Sequence, residues 1–281
     1  MGIIDGKMVA SQIKENITTE VRSLKKKTGK SPGLAVVLVG DDPASAVYVR
    51  NKNKTCNNIG FQSFENILPA NTSESELLNL IHELNNDEKV NGILVQLPLP
   101  NHIASKKILE AINPQKDVDG FHLENVGRLV TGHSLFKPCT PAGIIKLLDK
   151  YDVEIEGKNA VIIGRSNIVG KPVAFLLLER NATVTICHSR TKNLSNLARS
   201  ADILIAAIGK PNFVTADMVK DNSVVIDVGI NRLAGKLVGD VDFSAVLKKA
   251  SLITPVPGGV GPMTIAMLME NTFQAFKNSL K

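Results

Sequence analysis

The chain has no tryptophan, and Phe and Tyr bring aromatic residues to only 4% of its 281 positions. Any core must therefore be packed by Val, Ile, Leu and Ala, and the hydrophobic total of 43% is enough for that. Cysteine is also scarce. Cys56, Cys139 and Cys187 are odd in number and widely spaced, which excludes a disulfide framework and a cysteine metal site. A reducing cytoplasm is the simplest setting for three such thiols. No apolar run approaches the ~20 residues a membrane helix needs, so no membrane partner is expected. The opening residues Met1 to Lys7 lack the basic-then-apolar layout of a secretory signal. Gly6 stands where a myristoylation pattern requires Ser or Thr.

Strong charge of one sign is missing too. Lys and Arg total 33 against 27 Asp and Glu, a net charge of +6. The excess favours anionic ligands in general. The basic residues are dispersed, and the densest run, Lys25-Lys26-Lys27, falls at the end of an expected helix, where cations are favourable. No recognition motif accompanies them, so nucleic acid is not an expected partner. His82, His102, His122, His133 and His188 show no ligand spacing, and no metal is expected.

What is present is an alternation of apolar bursts and helical periodicity. Strand-like runs are 33–40, 61–68, 92–96, 159–164, 183–189, 202–209, 223–229 and 252–256. Several are unbroken Val/Ile/Leu stretches, as in strands buried on both faces of a parallel sheet. Helices are expected at 5–27, 43–58, 73–85, 101–111, 141–149, 169–179, 194–199 and 263–281. Asp42 and Pro43 open the second and Gly60 stops it, while Ser73 and Glu76 have capping-box spacing. The pattern is α/β with mostly parallel sheets. The stretch 113–141, rich in Gly, Pro, Asp and polar residues, breaks the rhythm and reads as a domain connection.

After that stretch, the strand 159–164 runs into Gly164-Arg165-Ser166-Asn167-Ile168-Val169-Gly170 and then a helix. A glycine turn between a first strand and a helix is the phosphate corner of a Rossmann unit. Ser166 replaces the middle glycine of the strict pattern. Sites that prefer NAD usually carry an acid about 20 residues on, for the ribose 2′-hydroxyl. Here the segment 187–192 reads Cys-His-Ser-Arg-Thr-Lys with no acid, which suits a 2′-phosphate and NADP. Arg165 is a further phosphate clamp of the right chemistry.

Before the connection, Tyr48 and Lys52 share a helix face, and Lys54 points elsewhere. A lysine that is desolvated can exchange protons. Gln96 ends a buried strand just before Leu97-Pro98-Leu99-Pro100, at the carboxyl end where α/β ligands bind. Lys116-Asp117-Val118-Asp119-Gly120 brings two carboxylates into a turn. Near the far end, Thr254 to Pro262 holds three Gly and three Pro in nine residues, a stiff backbone wall with few side chains.

Taken together, Tyr48-Val49-Arg50-Asn51-Lys52, Val95 to Pro100, Lys116 to Gly120, Lys137 to Pro141, Gly164-Arg165-Ser166 with Val169 to Pro172, Asp227 to Asn231, and Pro255 to Thr264 closely resemble the bifunctional methylenetetrahydrofolate dehydrogenase/methenyltetrahydrofolate cyclohydrolases. The matches occur in order along nearly the whole chain. The resemblance implies NADP-dependent oxidation of 5,10-methylenetetrahydrofolate to the 5,10-methenyl cation, then hydrolysis to 10-formyltetrahydrofolate. It implies that Lys52 is the general acid/base, that Gln96 holds and tunes it, that Tyr48 lies along the folate ring and that Asp119 bonds the pterin. It gives substrate contacts to Leu97, Pro98, Pro257, Gly258, Gly259 and Pro262. It gives the cofactor site to Gly164, Arg165, Ser166, Ser189 and Ile230. It also implies a catalytic α/β domain over 1–138, a Rossmann NADP-binding domain over 139–262, a final helix 263–281 returning to the first domain, and a homodimer.

Overall fold

A computed structural model of the chain describes residues 2–280. In chain order the elements are β1 (Gly2–Ile3), α1 (Gly6–Thr28), β2 (Gly33–Val39), α2 (Pro43–Ile59), β3 (Gln62–Leu68), α3 (Glu74–Asn86), β4 (Gly92–Val95), α4 (Ser105–Ala111), α5 (Leu123–Val130) and α6 (Cys139–Lys150). There follow β5 (Asn159–Ile163), α7 (Gly170–Glu179), β6 (Thr183–Cys187), α8 (Leu194–Arg199), β7 (Ile203–Ala206) and a 3-10 turn at Ala216–Met218. The last elements are β8 (Val224–Asp227), β9 (Asn231–Leu233), β10 (Lys236–Val238), α9 (Phe243–Val246), β11 (Leu252–Ile253) and α10 (Val260–Ser279).

Two compact units result. Residues 12–137 and 268–281 form one, and residues 1–11 and 138–267 form the other. The first is built on a three-stranded parallel sheet in the order β3-β2-β4. Every residue of β2 is buried, as its unbroken GLAVVLV run requires of a central strand. Along β3 half-buried and exposed positions mix, as an edge strand allows. One face of the sheet packs Ala35, Val37, Ile93 and Val95 against Leu77, Ile81 and Ile108 of α3 and α4.

The second unit holds a six-stranded sheet, order β1-β11-β8-β7-β5-β6, parallel throughout. Chain order reverses at β5, between β6 and β7, and ligands of doubly wound sheets sit beyond the carboxyl ends of strands at such a switch point. β9 and β10 form an antiparallel hairpin after β8.

The local signals act as their chemistry dictates. The Asp42 carboxylate accepts from Ser45 N at 2.7 Å, and Gly60 ends α2 in the left-handed region at φ 86°. Ser73 and Glu76 form both halves of a capping box. Differences from the sequence reading lie where periodicity is short. The stretch expected to be a plain connection contains α5, capped by the His122 ring, whose Nδ1 accepts from Glu124 N at 3.0 Å. The expected strand over 252–256 pairs only at Leu252 and Ile253, because the prolines that follow cannot donate to a ladder. Among the described residues no helix is long and apolar enough to cross a membrane.

Candidate active site

α2 buries Ser45, Val49, Lys52, Cys56 and Ile59, a stripe at helical spacing with a lysine in its middle. Lys52 is only 8% exposed. An ammonium in such a place is costly unless paired. Its Nζ donates to Gln96 Oε1 at 2.9 Å. Gln96 stands just past β4, its N–H donating to Val37 O at 2.8 Å, and its Nε2 donates to Leu97 O at 2.7 Å. With its amide fixed at both ends, the glutamine presents oxygen, not nitrogen, to the lysine. One turn before Lys52, Tyr48 is 39% exposed, so the same face of α2 carries an aromatic ring to the surface. Lys54 is exposed. Leu97 is half-buried and Pro98 exposed, joined by a cis peptide bond.

Asp119, half-buried, is brought to the same end of this sheet by register. Ile93 bridges Asp117 in parallel, with Ile93 N donating to Lys116 O at 2.8 Å. Two residues further along each segment lie Val95 and Asp119, so the Asp119 turn and Gln96 leave the sheet side by side. Several bonds pin that turn. Lys116 Nζ donates to Leu84 O and Asp87 O. Asn271 of α10 donates to Val118 O at 2.8 Å and to Lys137 O at 2.9 Å. The buried Asp117 carboxylate accepts from Phe121 N, His122 N and Asn125 Nδ2. Burial pushes the Asp117 carboxyl up, and those donors oppose the rise.

In the other unit, β5 ends at a sharp turn. Gly164 has φ 133°, and a Cβ there would overlap the carbonyl of Ala207 beyond β7. A Cβ on Gly170 would overlap the carbonyl of Gly164. The two glycines thus let α7 approach β5 and leave bare backbone at the switch point, the cradle a dinucleotide phosphate requires. Ser166 Oγ accepts from Val169 N at 3.1 Å and Gly170 N at 3.3 Å. The hydroxyl therefore caps the first amides of α7, and the turn is one residue longer than the three-glycine pattern.

Arg165 and Ser166 are exposed. Gly164 N donates to Cys187 O at 2.9 Å, which sets this loop beside the one after β6. There His188 N donates to Thr191 Oγ1 at 2.8 Å, a tight turn that leaves Ser189 and Arg190 exposed with no acid near them in sequence. After β8, Ile230 is 47% exposed and lies over Gly261. The segment Pro255–Pro262 belongs to this unit. Gly259 N donates to Pro255 O at 2.8 Å, and Lys7 N donates to Gly258 O at 3.0 Å. Pro257 is exposed, Gly258 and Pro262 half-buried, and Gly259 buried, where a Cβ would overlap Pro255 O and the Thr254 side chain, while a Cβ on Gly6 would overlap the Gly259 carbonyl.

The structure joins Lys52 to Gln96 directly and sets Asp119 at their end of one unit. It gathers Gly164, Arg165, Ser166 and Ser189 at one corner of the other, with Ile230 beside Gly261. Three buried carboxylates near these residues carry no role in the sequence reading. Asp117 supports the Asp119 turn, and Asp227 and Asp240 form a buried pair behind Ile230. The overlooked signal for Lys52 was its place on the Val49–Cys56–Ile59 stripe. For Asp227 it was a carboxylate continuing a buried apolar strand. Among the described residues no three His, Cys, Asp or Glu side chains are grouped to hold a metal ion.

Comparison with known proteins gives two family matches. Residues 4–119 match the catalytic domain of tetrahydrofolate dehydrogenase/cyclohydrolase, and residues 138–280 match its NAD(P)-binding domain. The chain is 60% identical over 282 aligned positions to the "Bifunctional protein FolD" of Campylobacter hominis, covering 100% of this chain and 99% of that one. It superposes with a TM-score of 0.97 and 55% identity on the FolD methylenetetrahydrofolate dehydrogenase/cyclohydrolase of Campylobacter jejuni, covering 99% of both chains. The Trypanosoma brucei dehydrogenase-cyclohydrolase, in complex with NADP and an inhibitor, is 40% identical with a TM-score of 0.96, covering 99% of this chain and 98% of that one.

Proposed function

Because the chain belongs to the tetrahydrofolate dehydrogenase/cyclohydrolase family, we infer that it couples NADP-dependent oxidation of 5,10-methylenetetrahydrofolate to hydrolysis of the 5,10-methenyl product, releasing 10-formyltetrahydrofolate. The single observation that carries this reading is the buried Lys52 amine held at 2.9 Å by Gln96.

The methenyl product is a cation. Beside it a protonated lysine is repelled, so the charge of the product itself favours the neutral amine. A neutral Lys52 takes a proton from water as the oxygen bonds to the one-carbon bridge. The ammonium so formed is held by Gln96 Oε1 and returns its proton to the ring nitrogen as the carbon–nitrogen bond breaks, while the added hydroxyl loses its proton to solvent and its electron pair closes the formyl carbonyl. The oxygen of Gln96 accepts a bond from either form of the amine and keeps its position through both. Asp119 suits the pterin, whose amino-pyrimidinone edge presents two donors to one carboxylate. Tyr48 offers a flat apolar surface to the ring, Leu97 an apolar side chain, and Pro98, Pro257, Gly258, Gly259 and Pro262 side-chain-poor backbone.

Bound NADP⁺ supplies the acceptor for the hydride that leaves the one-carbon bridge. Gly164 and Ser166 would hold its phosphates, Arg165 and Ser189 the 2′-phosphate, and Ile230 the apolar face of the nicotinamide. The absence of an acid after β6 supports NADP over NAD, as does the NADP bound by the trypanosomal relative. A homodimer in the cytoplasm completes the reading. The open edge strand β6 with Ile186 38% exposed, and Leu178 of α7 58% exposed, support association. Three buried free thiols support a reducing compartment.

The test follows NADPH appearance and methenyl disappearance in one cuvette with purified protein. Both activities are expected. In Lys52→Met, ring opening falls to the uncatalysed rate while NADP⁺ still binds. Retained ring opening would remove Lys52 as the base.

A further inference from the structure

We propose that Asp227 and Asp240 act together as positioning residues for the nicotinamide end of the cofactor, fixing the backbone after β7 and β8. The proposal rests on the reading of Ile230 as a cofactor contact.

Both carboxylates are buried, Asp227 at 3% exposure and Asp240 at 0%, and among the described residues no cation pairs with either. Each is instead surrounded by donors, nearly all of them backbone. Asp227 Oδ1 accepts from Gly229 N at 3.0 Å and Asp240 N at 2.9 Å, and its Oδ2 accepts from Val241 N at 3.0 Å. Asp240 Oδ2 accepts from Ile208 N at 2.7 Å and Gly209 N at 3.0 Å. Its Oδ1 accepts from Lys210 N at 2.8 Å and from Asn231 Nδ2 at 2.9 Å. Thr254 Oγ1 closes the set by accepting from Asp227 N at 2.7 Å.

The loops tied in this way are the ones that leave the carboxyl ends of β7 and β8, and the chain around Asp240 that follows the hairpin. Two glycines are spent on making room. A Cβ on Gly229 would overlap the Asp240 carboxylate, and one on Gly239 would overlap that of Asp227. So close a reciprocal fit holds Val228 to Asn231, and with it the exposed Ile230, at one height above the sheet. Two acidic groups are an expensive way to hold backbone. Burial, with Asp240 adding to it, pushes the Asp227 carboxyl up to about 6. An apolar pair would pack this loop without that cost, but it could not satisfy seven amides at once.

The proposal predicts a selective defect. In Asp240→Asn and Asp227→Asn, loss of charge-assisted bonds to the loop should raise KM for NADP⁺ about tenfold or more. KM for NAD⁺ rises by the same factor, because the nicotinamide half is common to both. KM for methylenetetrahydrofolate and the cyclohydrolase rate change by less than about threefold, since their residues do not touch this pair. Arg165→Ala provides the contrast, raising KM for NADP⁺ but not for NAD⁺.

An unchanged KM for both cofactors in a folded variant overturns the proposal, as does an equal loss in every constant together with a lowered melting temperature. Should the aspartate variants fail to fold, Thr254→Val removes only the hydroxyl behind Asp227. It should raise KM for both cofactors about threefold, and no rise overturns the proposal. Unmodified protein that fails to reduce NADP⁺ with methylenetetrahydrofolate would count against the underlying reading, independently of every variant.

Discussion

A lysine on a buried helical stripe is tolerated for its chemistry and not for stability. Lys52 lies between Val49 and Cys56, where burial pushes the Cys56 thiol up to about 12. Methionine has nearly the length of the lysine stem and no charge to desolvate. Lys52→Met is therefore expected to melt at the same temperature as the parent or higher, while ring opening is lost. A melting temperature several degrees lower would mean that the amine is a structural member of the stripe. Asp227 allows a second residue-scale prediction. Its folded pKa is raised from 3.8 to about 6 by burial. The neutral form is favoured in the fold, so the contribution to stability is complete below pH 3.8 and is lost as pH rises through about 6. A shift of that size corresponds to about 3 kcal/mol. Denaturant unfolding at pH 4 and pH 7 should show Asp227→Asn gaining on the parent by up to that amount at the higher pH. A constant difference between the two would remove Asp227 as the titrating group.

At the scale of elements, legibility followed length and punctuation. β2, β5 and β7 were readable as unbroken apolar runs, and α2 and α3 from their caps, because each signal acts within a few residues. β1 has two residues and no period to detect. α5 has eight, with Gly127 in its middle and an unusual histidine cap. The β9–β10 hairpin is exposed and polar, so its pairing leaves no apolar alternation. In the candidate site, Lys52, Gln96 and Asp119 were legible as motif residues, but the bonds that place them join positions up to 44 apart for Lys52 and Gln96, and 153 apart for Asn271 and Val118. Asp240 was invisible for the same reason, since it follows an ordinary glycine and finds its partners only through the fold. The junction of β5 and α7 makes the element-scale prediction. A Cβ on Gly170 would lie 2.6 Å from the Gly164 carbonyl carbon, and backbone cannot turn aside as a side chain can. Gly170→Ala must push α7 away from β5 and distort the Gly164–Ser166 turn. KM for NADP⁺ should rise about tenfold or more, as for a strained close approach worth more than 1.4 kcal/mol. Wild-type affinity measured by NADPH fluorescence titration would show that the close approach is dispensable.

At the scale of the whole molecule, the chain crosses between its two units more than once, so neither unit is a contiguous segment. Residues 1–11 lie with 138–267, and residues 268–281 lie with 12–137. The first crossing is held by very little sequence. Gly2 N donates to Ser251 O at 2.7 Å, Ile4 N to Ile253 O at 2.9 Å, and Asp5 N to the Tyr151 hydroxyl at 2.7 Å. Ile4 is wholly buried. Burying such a side chain is worth roughly 1.5–3 kcal/mol, and each backbone bond adds about 1 kcal/mol. Against the 5–15 kcal/mol typical of a folded domain, removal of residues 2–5 is a large fraction of one unit's stability. If the two units are separate cooperative bodies, that loss should be confined. Hydrogen exchange on the shortened chain is expected to show protection falling at Leu252–Ile253, which β1 pairs, and at the next strand in, Val224–Asp227, while Gly33–Val39 of the other sheet keeps the protection of the full chain. An equal fall in both sheets would mean that the molecule opens as a single body. In that case the terminal strand contributes to the stability of the lysine site as much as to that of the nucleotide site.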